Sequence, residues 1–141
     1  MKTENIIDLD NTTQKVFYSS LSKIKENLDF FVLRFYYYFL QTEAGALFHD
    51  TKFEFQYKMF YGSMELILNH ITTPDLIENH LNRLVKKHKD VGVTVEHIDY
   101  FIGSFMKALQ DVYIGENSEE IIAIWHKIIV KILTCFEKKL R

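Results

Sequence analysis

Proline occurs once in the 141 residues, at Pro74, and glycine only five times. A chain this poor in breakers does not fit a fold of many short strands and tight turns; it favours long helices with short connections. Cysteine also occurs once, at Cys135, so there is no internal disulfide framework and the chain fits a reducing, cytoplasmic compartment. No run approaches the roughly 20 apolar residues that cross a bilayer, so no membrane partner is expected. The opening "MKTENIIDLDNTTQ" is polar and lacks the apolar centre of a secretory signal. Neither charge dominates. The net charge of −2 argues against a nucleic-acid partner, which would call for a concentrated basic face. Also missing are a Gly-rich phosphate loop, a Ser-His-Asp order and a Cys/His cluster at zinc spacing.

What is present is a globular composition, 48% apolar and 26% charged, on a length that suits one domain with a real core. Aromatic residues reach 15%, with twelve Phe and eight Tyr. A small helical core does not require so many rings. Either they are surplus packing, or they line a cavity around a flat ligand.

The pattern along the chain predicts an all-α domain of six or seven helices, with residues 1–11 as a tail and 12–141 as the domain. The spacing predicts a first helix over Thr12–Asn27, with Val16, Leu21 and Ile24 inward. "LDFFVLRFYYYFLQ" (Leu28–Gln41) is apolar or aromatic nearly all round and too long for a strand, and is read as a buried helix. A turn region, "EAGALFHDT", follows. Lys52–Ile71 is helical, with Phe53, Phe60, Met64 and Ile67 recurring on one side. Thr73 and Pro74 supply a start signal for a helix to about Lys89. Another helix runs from Thr94 to about Tyr113. The last covers about Ser118–Lys139, with Asn117 and Glu120 placed as a capping box and Ile121, Ile122, Trp125, Ile128, Ile129 and Ile132 on its apolar face.

His88 stands out. On the Pro74 helix the apolar positions are Leu76, Ile77, Leu81, Leu84 and Val85. Leu81 and His88 are two turns apart and lie within about 20° of each other on the helix wheel. His88 therefore continues the inward stripe, while Lys86, Lys87 and Lys89 turn outward. Spacing alone leaves two readings open, a hydrogen-bonded core histidine or an iron ligand.

"LVKKHKDVGVTVEHIDYFIGSFMKAL" resembles the globin segment that runs from the proximal-histidine helix into the next long helix. "AIWHKIIVKIL" is similar to the last helix of bacterial single-domain globins and flavohaemoglobins, with Trp125 in its usual place. "RFYYYFLQTEAGALF" resembles the second helix and its corner, and the short corner looks like that of the globin domains of globin-coupled sensors. The resemblance spans about Thr12 to Leu140 and rests on the order and spacing of the pieces.

That resemblance implies a globin fold around a pocket for haem b, with His88 as the proximal iron ligand. Phe48 matches the corner phenylalanine that packs on the haem. Tyr36 matches the distal tyrosine of many bacterial globins, with Tyr37 and Tyr38 as rotated neighbours. Gln56 falls at the distal helix position, Phe60 follows one turn on, and Phe53 and Met64 extend the same face. Val93 completes the lining. Two departures matter. The corner between Tyr36 and Phe48 is shorter than in flavohaemoglobins, and Ile98 stands where those proteins place a tyrosine that makes the proximal imidazole more anionic. The implied function is reversible binding of O2, with NO and CO, for oxygen binding or gas sensing rather than catalysis. An NO dioxygenase fed by a separate reductase and a haem-free regulatory module are the alternatives. A homodimer and a signalling partner stay open.

The remaining polar residues have plainer readings. His49, His70, His80, His97 and His126 are surface or boundary groups, with His49 placed near a haem propionate by the resemblance. Arg83, Lys86, Lys87 and Lys89 form a solvated helix end. Cys135 is a small buried hydrophobe.

Overall fold

The computed structural model describes residues 10–48, 52–71, 74–90, 94–115 and 118–140; for Leu47, Phe48, Pro74, Lys89, Asp90 and Val95 it describes the backbone only. Six α-helices follow one another: α1 (Asn11–Glu26), α2 (Leu28–Phe39), α3 (Phe53–Asn69), α4 (Pro74–Asp90), α5 (Val95–Val112) and α6 (Ser118–Leu140), with a 3-10 helix over Glu43–Phe48 between α2 and α3. No strand occurs among the described residues. No helix among them is long and apolar enough to cross a membrane.

Local chemistry sets most of the boundaries. The Asp10 carboxylate accepts a 2.7 Å bond from the Thr13 N–H and caps α1. Asn27 ends α1, its side-chain amide donating to the Lys23 carbonyl at 2.8 Å, and α2 starts at the next residue. Thr94 and His97 form a reciprocal cap at the start of α5, the Thr94 N–H donating to His97 Nδ1 at 3.0 Å. Gly115 turns the chain into α6 at a φ of +120°, a conformation that glycine adopts without strain. The expected Thr73 cap and the expected Asn117 capping box lie outside the described residues.

The short corner depends on Gly45. A Cβ there would sit 2.7 Å from the Leu40 Cα, so only hydrogen fits against the end of α2. The Gly45 N–H closes the turn on the Thr42 carbonyl at 3.1 Å.

α2 lies chiefly on α5, α5 on α6, and α6 reaches back to α4 and α1. Trp125 of α6 is almost fully buried, with its ring edge-on to Phe17 of α1 at 5.1 Å and 6.0 Å from Phe105 of α5. Between α2 and α5 a polar clasp adds to the apolar contact. Arg34 Nε and the Tyr38 hydroxyl donate to the same Asp111 oxygen at 2.8 and 2.7 Å.

Two sequence expectations need correction. α2 is not buried all round: Leu28, Phe31, Val32, Phe35, Tyr36 and Phe39 are buried, while Phe30, Leu33 and Tyr37 are 45, 44 and 56% exposed. An apolar circumference looks the same in sequence whether neighbours cover one side or all sides, and α2 lies at the edge of the bundle. Leu76, placed with the inward stripe of α4, is likewise exposed.

Candidate functional site

α4 delivers His88 to its last turn along a stripe of buried residues: Ile77, Leu81 and Val85 are buried, Leu84 and His88 half-buried, and Lys86 and Lys87 exposed. The side chain of Lys89 lies outside the described residues. His88 Nδ1 stands 2.7 Å from the Leu84 carbonyl one turn earlier. A carbonyl oxygen only accepts, so Nδ1 carries the hydrogen and Nε2 keeps its lone pair. Burial lowers the imidazole pKa; the Leu84 bond opposes that, and the Lys87 charge adds to it. The result is a neutral ring in a fixed tautomer, held edge-on to Phe136 of α6 at 5.3 Å. This is the arrangement a histidine needs to bind a metal through Nε2.

Of the three consecutive tyrosines, Tyr36 is the one turned inward. It is 8% exposed, whereas Tyr37 is 56% exposed and Tyr38 is engaged with Arg34 and Asp111. Burial raises the Tyr36 phenol pKa well above its ordinary value, so the group is a neutral O–H donor. It donates to the Gln56 backbone carbonyl at 2.9 Å and so ties α2 to the first turn of α3. Gln56 itself is buried, an uncommon place for an amide and consistent with a polar role inside.

Phe60, one turn beyond Gln56, is half-buried. Its ring lies 4.3 Å from Phe35, 5.7 Å from Phe101 and 5.9 Å from Tyr36. Met64 follows another turn along and is buried. Phe53 is 44% exposed, with its ring edge against Tyr36 at 5.4 Å, so it stands at the rim. The structure thus brings Tyr36, Gln56, Phe53 and Phe60 together. The Phe48 side chain and Val93 lie outside the described residues.

Sequence reasoning missed the rings that back this group: Phe31 and Phe35 on α2, and Phe101 and Phe105 on α5. The available signal was the aromatic surplus, together with Phe101 and Phe105 one turn apart. Ile98 of α5, which stands at the position the resemblance gives to a flavohaemoglobin tyrosine, is buried. His97 has a capping role. His80 joins α4 to α3 through a 2.9 Å contact between Nε2 and the Ser63 hydroxyl, and His126 is exposed. His49 lies outside the described residues.

The described residues form an all-helical bundle with a histidine on the inward stripe of α4, an inward tyrosine on α2 and a buried glutamine on α3. The Globin family model matches residues 33–135, from within α2 to the last turns of α6, and the chain belongs to the globin family. Globins typically bind haem and gas ligands. No curated protein matches the chain.

Proposed function

We propose that this globin binds one haem b through His88 Nε2 and uses it for the reversible binding of a diatomic gas, O2 first, with NO and CO as further ligands. The observation that carries the reading is the 2.7 Å contact between His88 Nδ1 and the Leu84 carbonyl, which places the hydrogen on Nδ1 and makes Nε2 the lone-pair nitrogen of the neutral ring. The donor set points to haem rather than a bare ion. Among the described residues no group of three or more His, Cys, Asp or Glu side chains could hold a metal. A lone histidine suits a metal that brings most of its ligands with it, as iron in a porphyrin does.

The bound haem would supply a ferrous iron with a position open to a gas. The chain's part is to shape and polarise the space around that position. Phe60 and Met64 make it apolar and narrow, with Phe48, Phe53 and Val93 assigned to its remaining lining. Tyr36 and Gln56 bring the polar groups, the first through a hydroxyl that burial keeps protonated. Preorganised donors favour whichever ligand carries the most negative charge when bound, which among these gases is O2. Ile98 leaves the proximal imidazole without an anionic partner from that position, which favours binding over oxygen activation. The single cysteine is in keeping with a cytoplasmic setting.

The test is an absorption spectrum of the purified protein and of His88→Ala. The wild type should show a haem spectrum with one haem per chain. His88→Ala should lose stable haem or hold it only when imidazole is added. A colourless wild type supplied with haem would refute the reading, as would an unchanged spectrum and affinity in His88→Ala.

A further inference from the structure

We propose that the outer face of α2 is the seam of a homodimer in which the α2 helices of two copies lie side by side in parallel. Phe30, Leu33, Tyr37 and Leu40 follow one another at spacings of three, four and three. They are 45, 44, 56 and 44% exposed. On a helix wheel they fall within a stripe about 80° wide, opposite the side that packs into the core. This is the a/d pattern of a two-helix seam. The backbone at Leu40, the C-cap, is still right-handed helical, so the stripe runs unbroken past the end of α2.

The charges beside the stripe choose the partner and its direction. Asp29, whose Oδ1 accepts from the Tyr57 hydroxyl and whose Oδ2 remains for a partner, precedes Phe30 on one flank, and Arg34 follows Leu33 on the other. In heptad terms they are g and e, five residues apart. A parallel pair sets Asp29 of each copy against Arg34 of the other, twice by symmetry. An antiparallel pair would set like charges against each other. Arg34 is already positioned: Nε and Nη2 are held by Asp111 and Tyr38, and its guanidinium stacks over the Tyr37 ring at 4.4 Å. Nη1 makes no hydrogen bond among the described residues and is the donor left for a partner. A prepositioned Arg beside an exposed Tyr is a composition enriched at interface hot spots. The flanks do not fit a membrane surface, which calls for several Lys or Arg beside the apolar face.

The area sets the strength. Two half-exposed aromatics and two half-exposed leucines on each copy amount to roughly 700–900 Å² over the pair, below the usual range for tight interfaces. The expected dimer is therefore weak and reversible.

Sedimentation of the full chain over about 1–500 μM tests this directly. The wild type should pass from monomer to dimer. Leu33→Glu, at an exposed position, should keep the helical circular dichroism and weaken association at least tenfold, and Asp29→Lys should weaken it severalfold. Tyr37→Cys in a Cys135→Ser background should form a disulfide-linked dimer on mild oxidation, because a parallel seam brings the two copies of residue 37 together. A wild type that stays monomeric throughout would overturn the proposal, as would a dimer indifferent to Leu33→Glu. Dissociation by Leu33→Glu without cross-linking at residue 37 would overturn the parallel arrangement. A monomer that binds phosphatidylglycerol vesicles, and loses that binding in Leu33→Glu, would assign the stripe to lipid instead.

Discussion

At the residue scale the candidate site residues are few and each is oriented by an identifiable hydrogen bond. His88 is oriented by a main-chain carbonyl of its own helix. Tyr36 is oriented by a carbonyl on a different helix. Its hydroxyl therefore has two possible uses, holding α3 at rest or donating to a bound gas. Tyr36→Phe keeps the ring and removes only the donor. The loss of the buried bond should cost about 0.5–1.5 kcal/mol of stability, measurable by denaturant unfolding. A hydrogen bond to a charged acceptor is worth about 1.5–3 kcal/mol, so O2 release should speed up roughly 10- to 100-fold in the mutant. CO release should change far less, since bound CO carries little negative charge. Stopped-flow release rates for both gases make the comparison, and equal effects would show that Tyr36 acts by bulk alone.

At the element scale, α2 is positioned by a corner at its end and a clasp along its side. The corner tolerates no side chain at residue 45, because the nearest atoms are the Leu40 backbone, which cannot swing away. Gly45→Ala should destabilise the protein by about 1–3 kcal/mol, read from the midpoint of a urea transition. The clasp to α5 responds to acid. Burial pushes the Asp111 pKa up, but the hydrogen bonds from Arg34 and Tyr38 and the Arg34 charge outweigh it, and the net shift is downward. The folded-state pKa lies below the unfolded one, so the unfolded chain takes up protons first as pH falls. The clasp contributes its full stability above about pH 4 and loses it as pH drops through the folded value. Both side chains keep about a third of their surface in solvent, so the contribution is small and weakens with salt. Asp111→Asn should flatten the pH dependence of the thermal midpoint below pH 4 while leaving α5 intact.

At the scale of the whole molecule, Trp125 is where three helices meet. Its ring contacts Phe17 of α1 and Phe105 of α5 from its own place on α6, with almost no exposure. Trp125→Ala would leave a large cavity among rigid rings that cannot collapse into it, and should cost about 3–5 kcal/mol. Because the cavity borders α1, α5 and α6 together, the loss should appear as an earlier transition of the entire helical signal in a urea titration, not as fraying of one end. Phe60 borders the candidate site instead. It keeps part of its surface in solvent, so Phe60→Ala should cost less, about 3 kcal/mol or below, and should speed CO association. An unchanged CO rate in a folded Phe60→Ala protein would remove Phe60 from the ligand's path.

Helix identity and order were legible in the chain itself. Helical period, the single proline and the capping residues act over a few positions, so Asn11–Glu26, Phe53–Asn69 and Val95–Val112 begin and end close to where local chemistry puts them. The inward turn of His88 was legible for the same reason: it follows Leu81 by two turns of an amphipathic helix. What local pattern could not decide was anything set by a neighbour distant in sequence. Three adjacent tyrosines differ only in rotation, and it was the seating of α2 on α3 and α5 that buried Tyr36, exposed Tyr37 and gave Tyr38 to Asp111. The rings of Phe31, Phe35, Phe101 and Phe105 come together because α2 crosses α5, a contact between residues about 70 apart that no helical period encodes. The sequence alone determined which residues could share a face; only the tertiary structure decided which faces would be covered, because burial depends on what lies across the gap as well as on the helix that carries the side chain.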